Sequence, residues 1–460
     1  MIDAAVYQRQ GRVRAAVLVT GTEVLSGAVS DRNGPWLSAR LREAGLDVAA
    51  ICIVADRPSE LRTALDQLSA AGLDLLVTTG GLGPTADDVT AQVVAEFCGR
   101  QMGVDRDLEA RIQAIIDRNQ TRRPKTEAQA QALRAGVRKQ ATVPSGALVL
   151  EPRGTAPGLI VDGALSSAGQ VARPAVVVLP GPPREMQAMW PDVAASELFR
   201  GLSADAGVYE NQTVRLYGVS EADLADSLRL AQQVGLRLED LEVTTCMRGG
   251  EIEISTRFQA QAEADHSALV EFLADRFEGR LFSRDGATID QQVAAMLISQ
   301  AETIAAAESC TGGLLTGRLT SLPGSSAYVI GSVVVYSNWA KSSLTGVDPE
   351  LIAAHGAVSI EVAQALASGV RRRFGTTIGV GVTGVAGPGG GTPDKPVGYV
   401  CFAVAHGPVD GPDDQLPLVR ERNLPGDRTA VRERSTTIAL HLIAQVLQDA
   451  RAQASAPPGL

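Results

Sequence analysis

The chain has few of the residues on which several familiar kinds of site depend. Its five cysteines (Cys52, Cys98, Cys246, Cys310 and Cys401) are widely scattered and never form a C-x-x-C pair. This pattern is typical of reduced thiols in a cytoplasmic protein, and it argues against disulfides and a zinc site. No apolar run reaches the length of a membrane span, and the N-terminus lacks a signal-peptide pattern. We therefore expect a soluble, cytoplasmic protein without a membrane partner.

Positive charge is also in short supply. The chain carries 42 Lys and Arg against 52 Asp and Glu, for a net charge of −10. This balance disfavours a broad surface for nucleic acid, so we expect no nucleic-acid partner. Local Arg and Lys can still dominate a pocket for a small anion. The length of 460 residues and the 45% hydrophobic content predict two to four domains, each with its own core.

Segments typical of strands and helices alternate in the first part of the chain. We predict strands at 15–19, 48–54, 73–79 and 175–179, and helices at 31–43, at 59–70 with Ser59 as N-cap, and from about 184. Such alternation predicts a three-layer α/β domain, in which a parallel sheet is covered by helices on both faces. We assign residues 1–195 to this domain.

Two further domains are predicted downstream. Residues 196–284 read as a small α+β module, with strands at 212–216 and 251–257 and helices at 220–234 and 261–276. Residues 285–452 read as a second α/β domain, with strands at 303–307, 329–336, 376–383 and 397–405 and helices at 289–300, 311–321, 359–373 and 431–450. Residues 453–460 are predicted to be a disordered tail.

The most informative motif is the run Glu308-Ser-Cys-Thr-Gly-Gly313, which follows the apolar strand at 303–307 and opens a helix. Such a turn brings hydroxyls and unpaired backbone N–H groups to one point, where they can hold an anion or present a nucleophile. The alternative is an ordinary N-cap on a buried helix. We expect Gly324-Ser-Ser326 to end the helix that begins at Ser309.

Three more loops of the third region carry polar side chains after strands. They contain Tyr336 with Lys341 five residues later, Thr383-Gly384, and Arg428 with Arg432 one helical turn on. Each alone can be an ordinary surface or turn residue, but together they predict an anion pocket with a nucleophile. Because these motifs contain no histidine, a Ser-His-Asp triad is disfavoured, and a Ser activated by Lys or Tyr fits better.

A glycine-rich loop in the first domain contains Gly80, Gly81 and Gly83, followed by Thr85, Asp87 and Asp88. Glycines let the backbone approach a phosphate, and two aspartates offer oxygen ligands to a divalent ion. The loop is not a P-loop, because no Lys follows the glycines. A simple turn with acidic residues at a helix start is the alternative. Loops at 21–33, 154–158 and 179–186 would complete the rim of a pocket if they share this sheet edge.

These motifs resemble those of the CinA family, the competence/damage-inducible proteins, over nearly the whole chain. The first domain resembles the molybdopterin-binding, MoaB/MogA-like fold through Gly21-Thr-Glu23, Asp31-Arg-Asn33, Thr79–Asp88 and Gly154–Gly158. The middle module is similar to a KH-like domain. The third region resembles nicotinamide mononucleotide (NMN) deamidases through the motifs around Ser309, Ser326, Lys341, Thr383 and Arg428.

The resemblance implies two hydrolytic activities and a homodimer. The C-terminal domain would convert NMN to nicotinate mononucleotide and ammonia, with Ser309 as nucleophile and with Lys341, alone or together with Tyr336, as base. Its substrate would be bound by Thr311, Gly312, Gly313, Ser326, Thr383, Gly384, Arg428 and Arg432. Backbone N–H groups of Thr311–Gly313 would stabilise the oxyanion. The deamidase would need no cofactor.

The N-terminal domain would be a pyrophosphatase for ADP-ribose or a related dinucleotide, dependent on Mg²⁺, Mn²⁺ or Co²⁺. The resemblance ranks Asp88 first as metal ligand, with Asp87 or Glu185 beside it. Substrate contacts would come from Gly80, Gly81, Gly83, Thr85, Glu23, Asp31 and Asn33.

Two other functions stay open. One is a non-enzymatic role in DNA uptake, as the family name suggests, and the other is molybdopterin binding. Against DNA binding, no two glycines between residues 201 and 286 stand three apart, so the G-x-x-G loop of a nucleic-acid-binding KH domain is missing.

Overall fold

A computed structural model describes residues 13–119, 126–165, 171–409 and 416–455. These residues form two compact units. One unit extends to Asn211 and includes Phe258–Gln261, and the other comprises Gln212–Arg257 and the chain from Ala262 onward. The division into three domains at residues 195 and 284 stays a prediction. Within the described residues, no helix is long and apolar enough to cross a bilayer.

The first unit has short strands and helices of up to fourteen residues. Its strands are β1 Arg14–Thr20, β2 Asp47–Val54, β3 Leu75–Thr79, β4 Met102–Val104, β5 Thr142–Pro144, β6 Leu148–Leu150, β7 Gly158–Val161, β8 Ala164–Leu165, β9 Val171–Arg173 and β10 Ala175–Leu179. Its helices are α1 Thr22–Leu25, α2 Asn33–Glu43, α3 Pro58–Ala70, α4 Thr90–Cys98, α5 Arg106–Asn119, α6 Glu127–Gln140, α7 Pro183–Ala195 and α8 Glu197–Ala206.

The main sheet of the first unit has the order β2-β1-β3-β10-β7-β6. Strands β2, β1, β3 and β10 are parallel, whereas β7 pairs antiparallel with both β10 and β6. The predicted parallel sheet is confirmed, and two antiparallel strands extend it at one edge. The seven residues that join β6 to β7 are too few for the crossover that a parallel pair needs.

Helices cover both faces of this sheet, as predicted. One core joins the sheet to α2 and α7, with Leu37 and Trp190 among its residues, and the other joins it to α3 and α4 through Leu65 and Phe97. Helix α3 begins at Pro58, and Arg57 holds the N-cap position, so the assignment of Ser59 as N-cap is wrong. Proline suits the first helical position because its missing N–H would have no partner there.

The second unit contains two sheets. Its smaller part has β11 Tyr209–Tyr217, β12 Glu242–Arg248, β13 Glu251–Gln259 and β14 Leu281–Ser283, with α9 Glu221–Gln233 and α10 Glu263–Arg276. Its larger part has β15 Ile304–Glu308, β16 Val329–Val334, β17 Ile378–Gly384, β18 Tyr399–His406 and β19 Leu418–Asn423, with α11 Ile289–Ser299, α12 Leu314–Leu319, α13 Asn338–Thr345, α14 Pro349–His355, α15 Ile360–Phe374 and α16 Arg428–Ser455.

The smaller sheet has the order β12-β13-β11-β14, which agrees with the predicted α+β composition. Strands β12 and β14 were not predicted. Most of β12 is exposed, so its sequence lacks the alternation of apolar and polar residues that marks a half-buried strand. The likeness of this module to a KH-like domain stays a prediction.

The larger sheet has the order β16-β15-β17-β18-β19, in which β16, β15 and β17 are parallel. Helix α15 covers one face, while α11, α12 and α16 pack on the other. Because α16 continues to Ser455, residues 453–455 are helical, contrary to the predicted disordered tail. Residues 456–460 lie outside the described residues.

Candidate functional site

A serine and a lysine meet at the carboxyl end of β15. Lys341 Nζ lies 3.1 Å from Ser309 Oγ and donates to the carbonyl oxygen of Val335 at 2.9 Å. Ser309 is 8% exposed and Lys341 is 1% exposed. The structure thus brings together the two side chains that the sequence analysis selected as nucleophile and base.

The local fold aims Lys341 at this point. Helix α13 begins at Asn338 with Ser337 as N-cap, whose Oγ accepts the N–H of Ala340 at 3.1 Å. Side chains in a helix lean toward its N-terminus, so a lysine in the first turn reaches back toward the preceding strand end. Burial lowers the pKa of Lys341, opposed only weakly by nearby Cys310. A lowered pKa favours the neutral amine, which is the form that can accept the serine proton.

Glu308 is a buried carboxylate that the sequence analysis missed. It is 0% exposed, and its Oε2 accepts the N–H groups of Gly313 and Leu315 at 2.9 and 3.0 Å. Its Oε1 accepts both the N–H and the hydroxyl of Thr316 at 2.8 and 2.5 Å. Glu308 therefore caps α12 and ties the end of β15 to the start of that helix. A lone Glu at the end of the buried run Ile-Ala-Ala-Ala was the available signal.

This cap changes two predictions about the turn. The helix begins at Leu314 and not at Ser309, and it ends at Leu319, so Gly324-Ser325-Ser326 does not terminate it. The helix N-terminus is already occupied by the carboxylate of Glu308, and Gly313 N–H cannot serve as an oxyanion donor. The N–H groups of Thr311 and Gly312 are the predicted donors that Glu308 leaves unoccupied.

Arg432 also holds the turn between β15 and α12, by hydrogen bonds to its carbonyl oxygens. Its guanidinium donates from Nε to the carbonyl oxygen of Cys310 at 3.1 Å and from Nη2 to that of Thr311 at 2.8 Å. Arg432 thus holds the loop with two of its five N–H groups, and its predicted role in substrate binding stays a prediction. The hydroxyl of Thr311 is buried and finds no hydrogen-bond partner within the described chain.

Tyr336 and Arg428 form a pair on the surface. Tyr336 is 62% exposed, and its hydroxyl accepts a hydrogen bond from Arg428 Nη2 at 3.0 Å. Arg428 Nη1 also donates to the carbonyl oxygen of Gly387 at 2.8 Å. Of the two candidate bases, only Lys341 has a recorded contact with Ser309, so the geometry favours Lys341 over Tyr336 as base.

Packing accounts for two of the predicted substrate contacts of this domain, Thr383 and Gly384. Thr383 is 0% exposed, and its hydroxyl donates to the carbonyl oxygen of Ala357 at 2.8 Å. Gly384 is explained by packing, because a Cβ there would lie 2.7 Å from Cγ2 of Val400. Ser326 is exposed in a 3₁₀ turn, and its contact with a substrate stays a prediction.

The first unit has a separate cavity of about 580 Å³ at the carboxyl ends of its parallel strands. Its lining includes the predicted residues Glu23, Asp31, Asn33, Gly80, Gly81, Gly83, Asp87, Asp88 and Glu185, together with Gly21, Thr155 and Gly181. The expectation that four loops share one sheet edge is therefore confirmed. Ligands of open α/β sheets bind at this edge.

Asn33 ties two of these loops together. Its Nδ2 donates to the carbonyl oxygen of Gly181 at 2.7 Å and to the hydroxyl of Thr79 at 2.9 Å, and that hydroxyl donates onward to Pro180. These contacts fix the orientation of the amide, since a carbonyl can only accept. The buried Oδ1 of Asn33 finds no donor within the described chain and can accept one from a ligand. Asp31 instead caps α2, because its Oδ1 accepts the N–H of Asn33 at 2.9 Å.

The aspartates of the glycine-rich loop form a compact acidic pair. The hydroxyl of Thr85 lies 2.5 Å from Asp87 Oδ1 and 2.5 Å from Asp88 Oδ2, although it has a single proton to donate. Hydrogen bonding from Thr85 lowers the pKa of Asp87, with a smaller contribution from the charge of Lys139. A Cβ at Gly83 would lie 2.5 Å from Asp88 Oδ2, so a larger residue there would displace the Asp88 carboxylate.

The two aspartates suit a divalent ion whose remaining ligands would include phosphate oxygens of a substrate. In the part of the chain that the structure describes, no three His, Cys, Asp or Glu side chains gather as a metal cage. Mg²⁺ is commonly held by one or two carboxylates together with phosphate oxygens, which matches two adjacent aspartates. Glu185 also lines the cavity, and burial raises its pKa, which disfavours its anionic form as a metal ligand.

One further residue of this cavity, Gln140, and its neighbour Lys139 were missed. Gln140 is buried and donates from Nε2 to the carbonyl oxygen of Leu82 at 3.1 Å and to the hydroxyl of Thr155 at 3.3 Å. Lys139 donates to the carbonyl oxygen of Thr85. The signal for Gln140 was its spacing, because it shares the buried face of α6 with Gly136 and Val137.

Models of two known protein families match this chain. The model of the CinA C-terminal domain matches residues 286–447, and that of a probable molybdopterin binding domain matches residues 16–200. A CinA-like protein of Mycobacterium sp. (strain JLS) is 51% identical over 95% of this chain and 99% of its own length. A CinA-like protein of Mycobacterium tuberculosis (strain H37Ra) is 48% identical over 94% of this chain and 97% of its own length.

Among solved structures, the competence/damage inducible protein CihA from Agrobacterium tumefaciens is 35% identical and covers 35% of this chain and 97% of its own, with a TM-score of 0.32. The family that the motifs predicted is confirmed by the full-length relatives. The chain belongs to the CinA family and joins a molybdopterin-binding-like N-terminal domain to a CinA C-terminal domain.

Proposed function

We propose that the second unit hydrolyses the carboxamide of NMN to nicotinate mononucleotide and ammonia. The observation that carries this proposal is the 3.1 Å distance between Lys341 Nζ and Ser309 Oγ at a strand end. A buried lysine with a lowered pKa beside a serine hydroxyl is a suitable arrangement for acyl transfer without histidine. NMN is proposed as the substrate because the surrounding motifs resemble those of NMN deamidases.

The reaction would proceed in two halves through an ester. Ser309 Oγ attacks the carboxamide carbon while Lys341 Nζ takes the hydroxyl proton. The C–N bond then breaks, and Lys341 returns that proton to the departing ammonia. In the second half, Lys341 takes a proton from water, the hydroxide attacks the ester carbon, and Ser309 Oγ leaves with the proton. The N–H groups of Thr311 and Gly312 are the candidates for stabilising the oxyanion in both halves.

Arg428 is the best candidate for the substrate phosphate. Two of its five N–H groups are directed to Gly387 and Tyr336, so the planar guanidinium retains donors for a phosphate. Its hydrogen bond to Tyr336 also orders an exposed aromatic ring that can contact the nicotinamide or the ribose.

Ammonia release and mass spectrometry on the purified protein test this function. The wild type is expected to produce ammonia and nicotinate mononucleotide in equal amounts, and Ser309→Ala is expected to retain NMN binding without turnover. Ser343→Ala is a matched control, because this serine is exposed on the helix that carries Lys341. A wild-type protein that releases no ammonia from NMN would refute the proposal.

For the first unit we propose a metal-dependent pyrophosphatase that acts on ADP-ribose or a related dinucleotide. The specific observation is the pair of Asp87 and Asp88 around Thr85, at a cavity of about 580 Å³. A divalent ion bound there would neutralise charge on the pyrophosphate. Asp87 and Asp88 would hold the ion, and the backbone of Gly80–Gly83 would approach the neighbouring phosphate.

Incubation with ADP-ribose, with and without Mg²⁺, tests this second activity. Products should appear only with the ion, and EDTA should abolish them. Because the first unit also matches a molybdopterin-binding model, the fluorescence of a co-purified pterin would favour that function instead.

A further inference from the structure

The second unit contains another cavity, of about 280 Å³, none of whose lining residues belongs to the Ser309 turn or to α13. Its polar lining consists of Tyr217, Gln292, Arg420, Arg422, His441, Gln445 and Gln448. We propose that this cavity binds a small organic phosphate, at a site distinct from both candidate active sites.

The two arginines lie on one face of the edge strand β19. Arg420 pairs with Phe402 and Arg422 with Val400 across the neighbouring strand β18. Residues two apart in a strand share a face, and Val400 and Phe402 belong to the core beneath α16. Arg420 and Arg422 therefore lie on the same face of the sheet as this core, on the edge strand and beside α16.

Helix α16 supplies the facing polar groups. His441, Gln445 and Gln448 stand four and three residues apart, which places them along one stripe of the helix. Ile438 and Leu442 on the same side complete the lining with apolar contact. The strand and the helix thus present cations and amides to a common space.

The charge of the lining favours an anion. It includes two arginines and three glutamines but no aspartate or glutamate, although the whole chain has a net charge of −10. Arg420 is half-buried, and no carboxylate in the described part of the chain forms an ion pair with Arg420 or Arg422. A half-buried guanidinium without a carboxylate partner is stabilised by a bound anion.

The rings of Tyr217, Phe282 and His441 line one side of the cavity and pack against one another. The rings of Tyr217 and His441 stack at 3.6 Å with an angle of 9°, and Phe282 meets His441 edge-on at 4.8 Å. His441 Nε2 lies 2.7 Å from Oε1 of the buried Glu251, which fixes the imidazole. Burial raises the pKa of Tyr217, so its phenol keeps its proton and can donate it in a hydrogen bond.

These features together select a phosphate that carries a small planar or apolar group. Guanidinium groups match phosphate oxygens in a bidentate manner, and glutamine amides add neutral donors. The three aromatic rings suit the organic part of the ligand. The volume lies at the lower end of small-molecule pockets, roughly 300–1,000 Å³, so a dinucleotide is too large.

The imidazole resonances of the full-length protein give a local readout, because the chain has only 4 histidines. The His441 signal is assigned by its loss in His441→Gln. Titration with phenyl phosphate should shift this signal in a saturable manner, and inorganic phosphate should shift it with lower affinity. Sodium chloride at matched ionic strength should leave it in place.

Two variants and one control decide the proposal. Arg420→Gln removes an unpaired cation, and Gln448→Glu places a carboxylate at an exposed position of the lining. Each should weaken phenyl phosphate binding by roughly 10- to 100-fold, the cost of losing a charged hydrogen bond. Arg373→Gln, an exposed arginine of α15, should bind as the wild type does. A His441 signal that does not respond, or that responds equally in all variants, would overturn the proposal whatever the outcome of the NMN assay.

Discussion

The candidate sites of the two units differ in how much of the proposed chemistry the protein itself supplies. In the second unit, Ser309 and Lys341 are both buried and lie within hydrogen-bond distance of each other. In the first unit, Asp87 and Asp88 are exposed or half-buried, and both face the hydroxyl of Thr85. The first arrangement places a nucleophile beside a base, whereas the second offers only carboxylates, whose proposed chemistry would need a divalent ion.

This contrast has a physical origin in the loops that follow the strands. The turn after β15 is fixed by two side chains. Glu308 accepts hydrogen bonds from its backbone N–H groups, and Arg432 donates to its carbonyl oxygens. Such preorganisation suits covalent catalysis, in which reacting atoms must be held closely. The glycine-rich loop after β3 leaves backbone and carboxylates open to a large cavity, which suits the binding of phosphates with a metal ion.

The largest effect is expected from Ser309→Ala, which separates the two sites most sharply. Loss of the nucleophile should lower NMN turnover by roughly 10³-fold or more, since a nucleophile has no substitute in the two-step reaction. ADP-ribose cleavage by the same variant should equal that of the wild type. A parallel loss of both activities would show that the sites are not independent.

Lys341→Arg is expected to have the next largest effect. Arginine keeps the charge but stays protonated, so turnover should fall by roughly 10²- to 10⁴-fold. In the wild type, the rate should rise with pH as Lys341 loses its proton and then level off. Because burial lowers the pKa of Lys341, this rise should lie below the usual range of lysine. A pH profile that is the same in both proteins would assign the base elsewhere.

Chelation should affect only the first unit. EDTA should remove ADP-ribose cleavage and leave ammonia release from NMN intact. Asp88→Asn should reduce cleavage by roughly 10²-fold at fixed Mg²⁺, because it removes a charged ligand of the proposed ion. Cleavage that persists at full rate in EDTA would mean that the aspartates hold no essential metal.

A smaller effect is expected from Glu308→Gln, which tests the support of the second site. A glutamine has one acceptor oxygen and a donor amide, so it cannot accept all four hydrogen bonds made by the carboxylate. The turn should loosen, and kcat should fall by roughly 10-fold with little change in KM. Thermal unfolding separates this effect from loss of fold. A folded variant with the kcat of the wild type would show that Glu308 does not support catalysis.

The smallest effect on activity is expected from Thr383→Val. Its hydroxyl donates to Ala357 inside the protein, so its removal should cost about 1 kcal/mol of unfolding free energy. KM for NMN should stay that of the wild type. A large rise in KM without loss of stability would restore Thr383 to the substrate site.

Much of the fold could be predicted from sequence, because buried strands and amphipathic helices leave clear periodic patterns. The strands that carry Ser309 and the glycine-rich loop were found within about two residues, and the shared edge of the first sheet followed from them. Exposed β12 was not found because it lacks the alternation of apolar and polar residues, and β7 was not found because its four residues are buried without alternation.

The candidate sites were predicted in part, and the errors have a common cause. Ser309 and Lys341 were chosen for their chemistry, and the structure places them together. Thr383 was chosen on the same grounds, yet its hydroxyl donates to an internal carbonyl, and two N–H groups of Arg432 also donate to internal carbonyls. A sequence shows which groups can bind a ligand, but only the packing shows which of them are already satisfied.

The most direct test of the central claim is mass spectrometry of the wild type quenched during turnover of NMN. The account predicts an acyl ester on Ser309, whose mass adds nicotinate mononucleotide less water, together with free ammonia. Release of ammonia with an unmodified Ser309 peptide throughout, and with unchanged turnover in Ser309→Ala, would contradict it.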